Sequence, residues 1–218
     1  MARPKAAISW SGGKDSCAAY HRARSDFDFV AAVTMFNEDG TRSRSHGLRP
    51  EILRAQVERL GLQSITETCA WDTYDAAFDR ALQAAAAMGV THVVFGDILF
   101  DEHREWAERL SSGRGLTAIE PLWKESTTDL YRGFLQSGMR ARIVTVRSSK
   151  LEESFLGRDL AENLLDEFLA RGVDPCGERG EYHTVVTACE AFSTPLRVRA
   201  LGRATNSGCI AEDLVLDE

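Results

Sequence analysis

The chain has 218 residues, 44% of them hydrophobic, and 33 acidic against 26 basic side chains give a formal net charge of −7. That length suits one generous domain or two small ones sharing an interface, and the lack of any long block of like charge argues against a nucleic-acid partner held on a basic surface. Five scattered cysteines with no CxxC pair argue against a disulfide scaffold or a cysteine-ligated metal, and no window approaches the ~18 apolar residues of a membrane span, so the expectation is a cytoplasmic protein with free thiols and no membrane partner.

In chain order, "KAAISW" and "FVAAVTMF" are strand-length apolar runs, and "DSCAAYHRARSD" between them has the length of one helix. "RPEILRAQVERLG" sets Ile52, Leu53, Val57 and Leu60 at helical spacing and stops at Gly61. "QSITETC" reads as a third strand. "DTYDAAFDRALQAAAAMG" opens with an Asp cap and carries Phe78, Ala81, Leu82, Ala85 and Met88 on one helix face. "THVVFGD" is a fourth strand, buried on both faces by its composition. Strands alternating with helices predict an α/β fold with a parallel sheet sandwiched by helices.

After about Leu122 the rhythm changes. "STTDLYRGFLQSG" and "GRDLAENLLDEFLARG" read as helices flanking a strand, "RARIVTVR", and the last forty residues alternate loops with short strand candidates. The reading is therefore a first domain over 1–124 and a smaller α+β domain over 125–218, with a soft boundary and no linker. Strand edges exposed in the second half would let two copies pair as a homodimer.

Chemistry concentrates where the first strand meets the first helix, at "SGGKDS", residues 11–16. A Walker A loop would need Ser or Thr after its lysine, but Asp15 follows Lys14, and the GxGxxG of a dinucleotide fold is missing. What remains is strand, Ser-Gly-Gly-Lys-Asp-Ser, helix. Gly12 and Gly13 let backbone amides approach an anion, the helix start adds its positive end, Ser11 and Ser16 can donate hydroxyls, and Lys14 supplies a point charge. Asp15 in such a site calls for a magnesium ion between it and phosphate. The stretch resembles the pyrophosphate loop of the N-type ATP pyrophosphatases, the PP-loop superfamily, matching SGGxDS at every fixed position. That resemblance implies a HUP-type α/β domain that cleaves ATP to AMP and pyrophosphate.

Two further stretches carry signal. "FGDILFDEHREWAERL" puts Gly96 and Asp97 at the carboxyl end of a strand, where open α/β sheets hold ligands. "DPCGERGEYHT", residues 174–184, makes a poor core segment and reads as a lid or substrate clamp. With "EPLWKEST" and "LGRDL", these resemble the diphthine-ammonia ligase family, whose second domain carries GEGGEYET in the same relative place, and the similarity runs from Ala6 to about Leu196.

The resemblance implies an ATP site formed by Ser9, Ser11, Gly12, Gly13, Lys14, Asp15, Ser16, Gly96 and Asp97, with Asp15 and Asp97 toward Mg2+. Arg104, Glu108, Gly180, Tyr182 and Thr184 would contact the acceptor. Lys14, Asp15, Asp97, Glu178, Glu181 and His183 would carry the chemistry, with the imidazole suited to proton transfer near pH 7. His46, in "SHGLR", falls where the family places a histidine loop beside the nucleotide, and reads equally as an exposed loop histidine. Arg179 and His183 depart from the family motif, as does the missing proline before Phe192, and they make the local charge more positive, which fits a more anionic acceptor. The expected reaction joins ammonia to a carboxylate acceptor through an adenylate, the acceptor being diphthine-modified elongation factor 2 where the organism makes it. The alternatives are a PP-loop thiolase using Cys176 and a nucleotide-binding sensor module without catalysis.

Overall fold

A computed structural model describes residues 2–206 and 208–217. Strands β1 (Lys5–Ser9), β2 (Asp28–Phe36), β3 (Gln63–Thr68), β4 (His92–Val94) and β5 (Thr117–Ile119) form a parallel sheet in the order β3-β2-β1-β4-β5. The sheet is legible because consecutive side chains are both apolar and both needed. Ile8, Ala32 and Val94 pack to one side, while Ala7, Ala31, Val33 and Val93 pack to the other.

Helices α1 (Lys14–Ala23) and α2 (Pro50–Arg59) cover the first side. On the second lie α3 (Tyr74–Ala87) and α4 (Asp101–Gly113), through Phe78, Ala81, Leu82, Ala85, Ala107 and Leu110. Pro50 opens α2 at a position where its missing amide costs no hydrogen bond. This is the HUP-like α/β arrangement the sequence predicts, with one strand more than the periodicity revealed. β5 is three residues long between Gly115 and Pro121, too short to show any alternation.

The rest of the chain builds a smaller antiparallel sheet, β7-β6-β9-β8, from β6 (Arg140–Arg147), β7 (Tyr182–Ala188), β8 (Val198–Asn206) and β9 (Cys209–Leu216). Helices α5 (Thr127–Gln136) and α6 (Glu162–Arg171) pack on it, and Ser126 caps α5 by accepting from the Asp129 amide. The structure differs from the expectation in three places. α6 begins at Glu162, because the preceding residues run extended beside β6, with Ile143 N donating to Arg158 O at 2.9 Å and Leu160 N to Ala141 O at 2.8 Å. β8 and β9 are nine and eight residues long rather than short, and only one of the described β9 residues, Leu214, is buried, so burial left no alternation to read. The 174–184 stretch is no lid: its last three residues start β7, and Tyr182 and Thr184 are buried.

The two sheets share one core. Trp10, Cys17 and Ile52 from the first half belong to the same apolar cluster as Tyr131, Phe168 and Val185 from the second. Polar ties reinforce it. Gln56, fully buried, accepts from Trp10 Nε1 at 3.0 Å and donates to Gly12 O at 3.0 Å and Val186 O at 2.7 Å, while Val186 N donates to Gly12 O at 2.9 Å.

Candidate active site

β1 has β2 on one side and β4 on the other, so chain direction along the sheet reverses there and a crevice opens beyond the strand ends. The 11–16 loop leaves β1 into this crevice, and Gly96 and Asp97 leave β4 beside it. A Cβ at Gly96 would stand 2.8 Å from Ser16 N and 2.9 Å from Asp15 C, so only glycine lets β4 lie so close to the first turn of α1. Above the crevice, the start of β7 and the turn before it form the opposite wall. The cavity between them is about 500 Å3.

The loop is held from behind as well as open in front. Gly12 has φ +83°, and a Cβ there would meet Leu53 and Gln56 of α2; a Cβ at Gly13 would overlap the His46 imidazole. One loop amide that the sequence offers to an anion, Gly13 N, already has a partner in Ser11 Oγ at 3.3 Å, and the next, Lys14 N, donates to Thr184 Oγ1 at 3.0 Å. The amides of Asp15 and Ser16 lie in the first turn of α1, where no intrahelical acceptor exists. The Ser11 and Ser16 hydroxyls, 3.1 Å apart, stand at the same end of the cavity, and Ser16 Oγ donates to Gly13 O at 3.1 Å.

Lys14 is 2% exposed. Its ammonium donates to Asp15 Oδ2 at 2.8 Å and to the Cys176 carbonyl, and sits 5.1 Å from the centre of the Tyr182 ring. Burial works against the charge, but Asp15, the Cys176 thiol and Glu178 outweigh it, so the Lys14 pKa is raised and the ammonium persists. Asp15 is itself pushed upward by burial, with Lys14 opposing and Asp97 adding to the shift. Its second oxygen, Oδ1, is buried without a hydrogen-bond partner.

Glu178 is a cavity-lining carboxyl shifted toward neutral pH. Burial and the neighbouring Asp15 raise its pKa to about 8, against the pull of Lys14, and Asp97 and Asp174 add to the rise. The histidines behave otherwise. Burial takes His46 down to about 4, with Lys14 adding and its hydrogen bond to Thr184 O opposing. Because that partner is a carbonyl, His46 Nδ1 carries the proton in the 2.7 Å bond. His183 packs at a tilt against His46 with ring centres 4.7 Å apart, and burial plus His46, Lys14 and Arg147 push its pKa well below the ordinary value. The expectation that His183 would exchange protons near pH 7 is therefore corrected, since a half-buried imidazole beside two cationic chains is held neutral.

Most of the anticipated residues converge. Ser9, Ser11, Lys14, Asp15, Ser16 and His46 line the cavity on one side; Gly96 and Asp97 line it at the end of β4; Glu178, Gly180, Tyr182, His183 and Thr184 line it from the second sheet. His46 is 8% exposed, so the open-loop reading of it does not hold. Gly12 and Gly13 stand behind the loop rather than on the cavity wall. Glu181 is buried with Oε2 unpartnered but does not line the cavity. Arg104 and Glu108 lie outside it, paired to each other at 2.8 Å on the exposed face of α4, because they leave the helix on a different side from His103 and Trp106, which do line it. Cys176 is buried, its thiol 3.3 Å from Thr127 O and its pKa raised mainly by burial, which leaves no accessible thiolate for sulfur transfer.

The sequence reading missed an aromatic wall. Trp71, Tyr74, Phe95 and Trp106 line the cavity opposite the lysine, Trp71 stacking on Tyr74 at 5.8 Å and Arg44 lying 4.3 Å over Trp71. Trp71 and Tyr74 are three residues apart at the mouth of α3, the only sequence hint of a shared face. His103, one turn along α4, was also missed; its Nδ1 is 3.1 Å from Asp97 Oδ1, and that hydrogen bond raises its pKa.

A doubly wound sheet that presents an SGGKDS loop at its switch point, with a second sheet closing over it, defines a HUP-type protein of the PP-loop class. Within that class the chain belongs to the diphthamide synthase family: residues 4–118 match the diphthamide synthase N-terminal domain and residues 126–211 the C-terminal domain. It is 28% identical over 206 residues to the diphthine–ammonia ligase of Schizosaccharomyces pombe, covering 84% of this chain and 34% of that one. With the Rattus norvegicus diphthine–ammonia ligase it shares 27% over 214 residues, 86% of this chain and 80% of the relative. The chain thus spans about a third of the fission-yeast relative's length. A solved structure described as a "predicted subunit of tRNA methyltransferase from Methanocaldococcus jannaschii" covers 85% of this chain and 98% of its own at TM-score 0.45 and 13% identity, too distant to carry an inference.

Proposed function

We propose that this chain is an AMP-forming, ATP-dependent amide ligase that adenylates a carboxylate acceptor and passes it to ammonia. Residues 1–124 would hold ATP and 125–218 the acceptor. The observation that carries the reading is the placement of Lys14: it is rooted in the phosphate loop, yet its ammonium is fixed by Cys176 and Tyr182 of the second half. A charge built jointly by both halves is suited to a reaction that joins what each half binds. The relatives' name supports the same reading, and diphthine-modified elongation factor 2 is the acceptor it points to.

In this mechanism the acceptor carboxylate attacks the α-phosphorus and pyrophosphate departs from the loop. Lys14, the Asp15 and Ser16 amides and the two serine hydroxyls are the groups suited to stabilising charge growing on the leaving group. Glu178, with a pKa of about 8, takes the proton that the incoming nitrogen must shed once ammonia displaces AMP. His46 and His183, neutral, act as positioned hydrogen-bonding groups.

Magnesium fits the residues present. Asp15 Oδ1 is buried and unpartnered, an acceptor that suits an ion which keeps waters and takes one or two carboxylates plus phosphate oxygens. Asp15 and Asp97 would hold it, and bound there it would neutralise phosphate charge.

The test supplies ATP, an acceptor acid and hydroxylamine in place of ammonia. A hydroxamate with equimolar AMP is expected, and Lys14→Met should cut the rate by roughly 10²-fold or more, the scale of losing a preorganised charge-stabilising donor. Hydroxamate formation unaffected by that substitution would overturn the assignment.

A further inference from the structure

Helix α1 starts without a cap of its own. Its N-cap position is Gly13, which has no side chain to fold back on the first amides of the helix. The usual capping residues do not fit there, because a Cβ on Gly13 would overlap the His46 imidazole. The hydrogen-bond acceptor comes instead from the second sheet: Thr184 Oγ1, on β7, takes the Lys14 amide at 3.0 Å. The same residue grips the loop a second way. Its carbonyl accepts from His46 Nδ1 at 2.7 Å, which fixes the ring that backs Gly13. Two residues further along β7, Val186 N donates to Gly12 O at 2.9 Å. β7 therefore holds the loop directly at Gly12 and Lys14 and, through His46, at Gly13.

We propose, on the reading of residues 11–16 as the triphosphate site, that Thr184 is a positioning residue for ATP: its hydroxyl oxygen is the N-cap of α1, supplied by the other half of the chain. The family resemblance implies a different role, contact with the acceptor. Thr184 lines the cavity, but it is 1% exposed and its hydroxyl is already engaged by the loop. With Lys14 N committed to it, the amides of Asp15 and Ser16 are the next in the helix without an intrahelical acceptor, and they are left for phosphate oxygens. Removing the hydroxyl leaves a buried donor with no acceptor. The chain can then turn about Gly12 and Gly13, the two residues least able to resist it, and the ordering of the loop before ATP arrives is lost.

Calorimetric titration of the intact chain with ATP and magnesium, and separately with AMP, reads the loop without ligase turnover. Thr184→Val and Thr184→Ala remove the hydroxyl and Thr184→Ser keeps it, the fold of each being checked by circular dichroism. The valine and alanine variants are expected to weaken ATP binding roughly ten-fold, the scale of one buried donor left unpaired. AMP, which lacks the two outer phosphates, should bind them as it binds the native chain, and serine should restore the affinity for ATP. In turnover, the KM for diphthine-modified elongation factor 2 should stay where it is. A rise in that KM with ATP affinity intact would return Thr184 to the acceptor and overturn the proposal. Tighter ATP binding by the valine variant would do so too, since the hydroxyl would then compete with phosphate for the amide. Equal losses for ATP and AMP, or a serine variant that restores nothing, would reduce the contact to packing. A native chain with no preference for ATP over AMP would instead overturn the reading of the loop itself, however the Thr184 variants behave.

Discussion

At the scale of single residues, the site separates groups that look alike in sequence. Glu178 and Glu181 stand three apart in one motif, yet only Glu178 lines the cavity. Its raised pKa has two measurable consequences. As the base of the amidation step, it must lose its proton, so with hydroxylamine as the acceptor of the adenylate the rate should climb through about pH 8 and flatten above it. Glu178→Gln should abolish that limb; a limb that survives would assign the proton transfer elsewhere. Stability runs the other way. The folded pKa lies above the ordinary 4.5, so the stabilisation tied to the proton is complete below about 4.5 and is lost as pH rises through about 8. Glu178→Gln is therefore expected to raise stability by about 1–3 kcal/mol at pH 9 and to leave it unchanged at pH 4, read by chemical denaturation. The motif made Glu178 visible in sequence. What it could not reveal is that His183 nearby would pack against His46 and be kept neutral, because that packing is a property of the folded second sheet.

Elements explain why the crevice has its shape. β4 and α1 touch through Gly96, where an added Cβ meets backbone atoms that have no rotamer to move into. Gly96→Ala is expected to cost about 1–3 kcal/mol and to weaken ATP binding by tilting the first turn of α1; an unchanged melting temperature and affinity would show that the contact is loose. A second tie joins β9 to the loop bearing His46: Asp213 accepts from Arg49 at 2.8 and 2.7 Å and from Arg42 at 2.6 Å, and these hydrogen bonds hold its carboxyl well below the usual carboxylate range. Its stabilisation is present above pH 3.8 and is lost as pH falls below that. Asp213→Asn should cost roughly 1 kcal/mol at pH 7, given the partial exposure of all three side chains, and nothing at very low pH. Strands β1, β2 and β4 and the helices α2 and α3 were legible because apolar residues recur at the right period. β5, the extended run before α6 and the β8–β9 hairpin were not, since short or exposed segments leave no periodic mark. The aromatic wall escaped for a related reason: Trp71, Tyr74 and Trp106 come from a loop and two helices, and only the fold brings them to one surface.

For the whole molecule, the decisive feature is that the two sheets are not independent. One apolar cluster runs through both, and Gln56 bonds to loop and strand across the seam. Calorimetry should accordingly show one cooperative unfolding transition, whose midpoint rises with ATP; two separated transitions would mean that the halves are merely tethered. Lys14 depends on that junction, because its partners come from the second half. The account comes down to how ATP is broken there. With ATP labelled at the γ-phosphate, the loop and its lysine predict that the label leaves in pyrophosphate with AMP as co-product, in an acceptor-dependent reaction. Label appearing as orthophosphate, with ADP left behind, would contradict it.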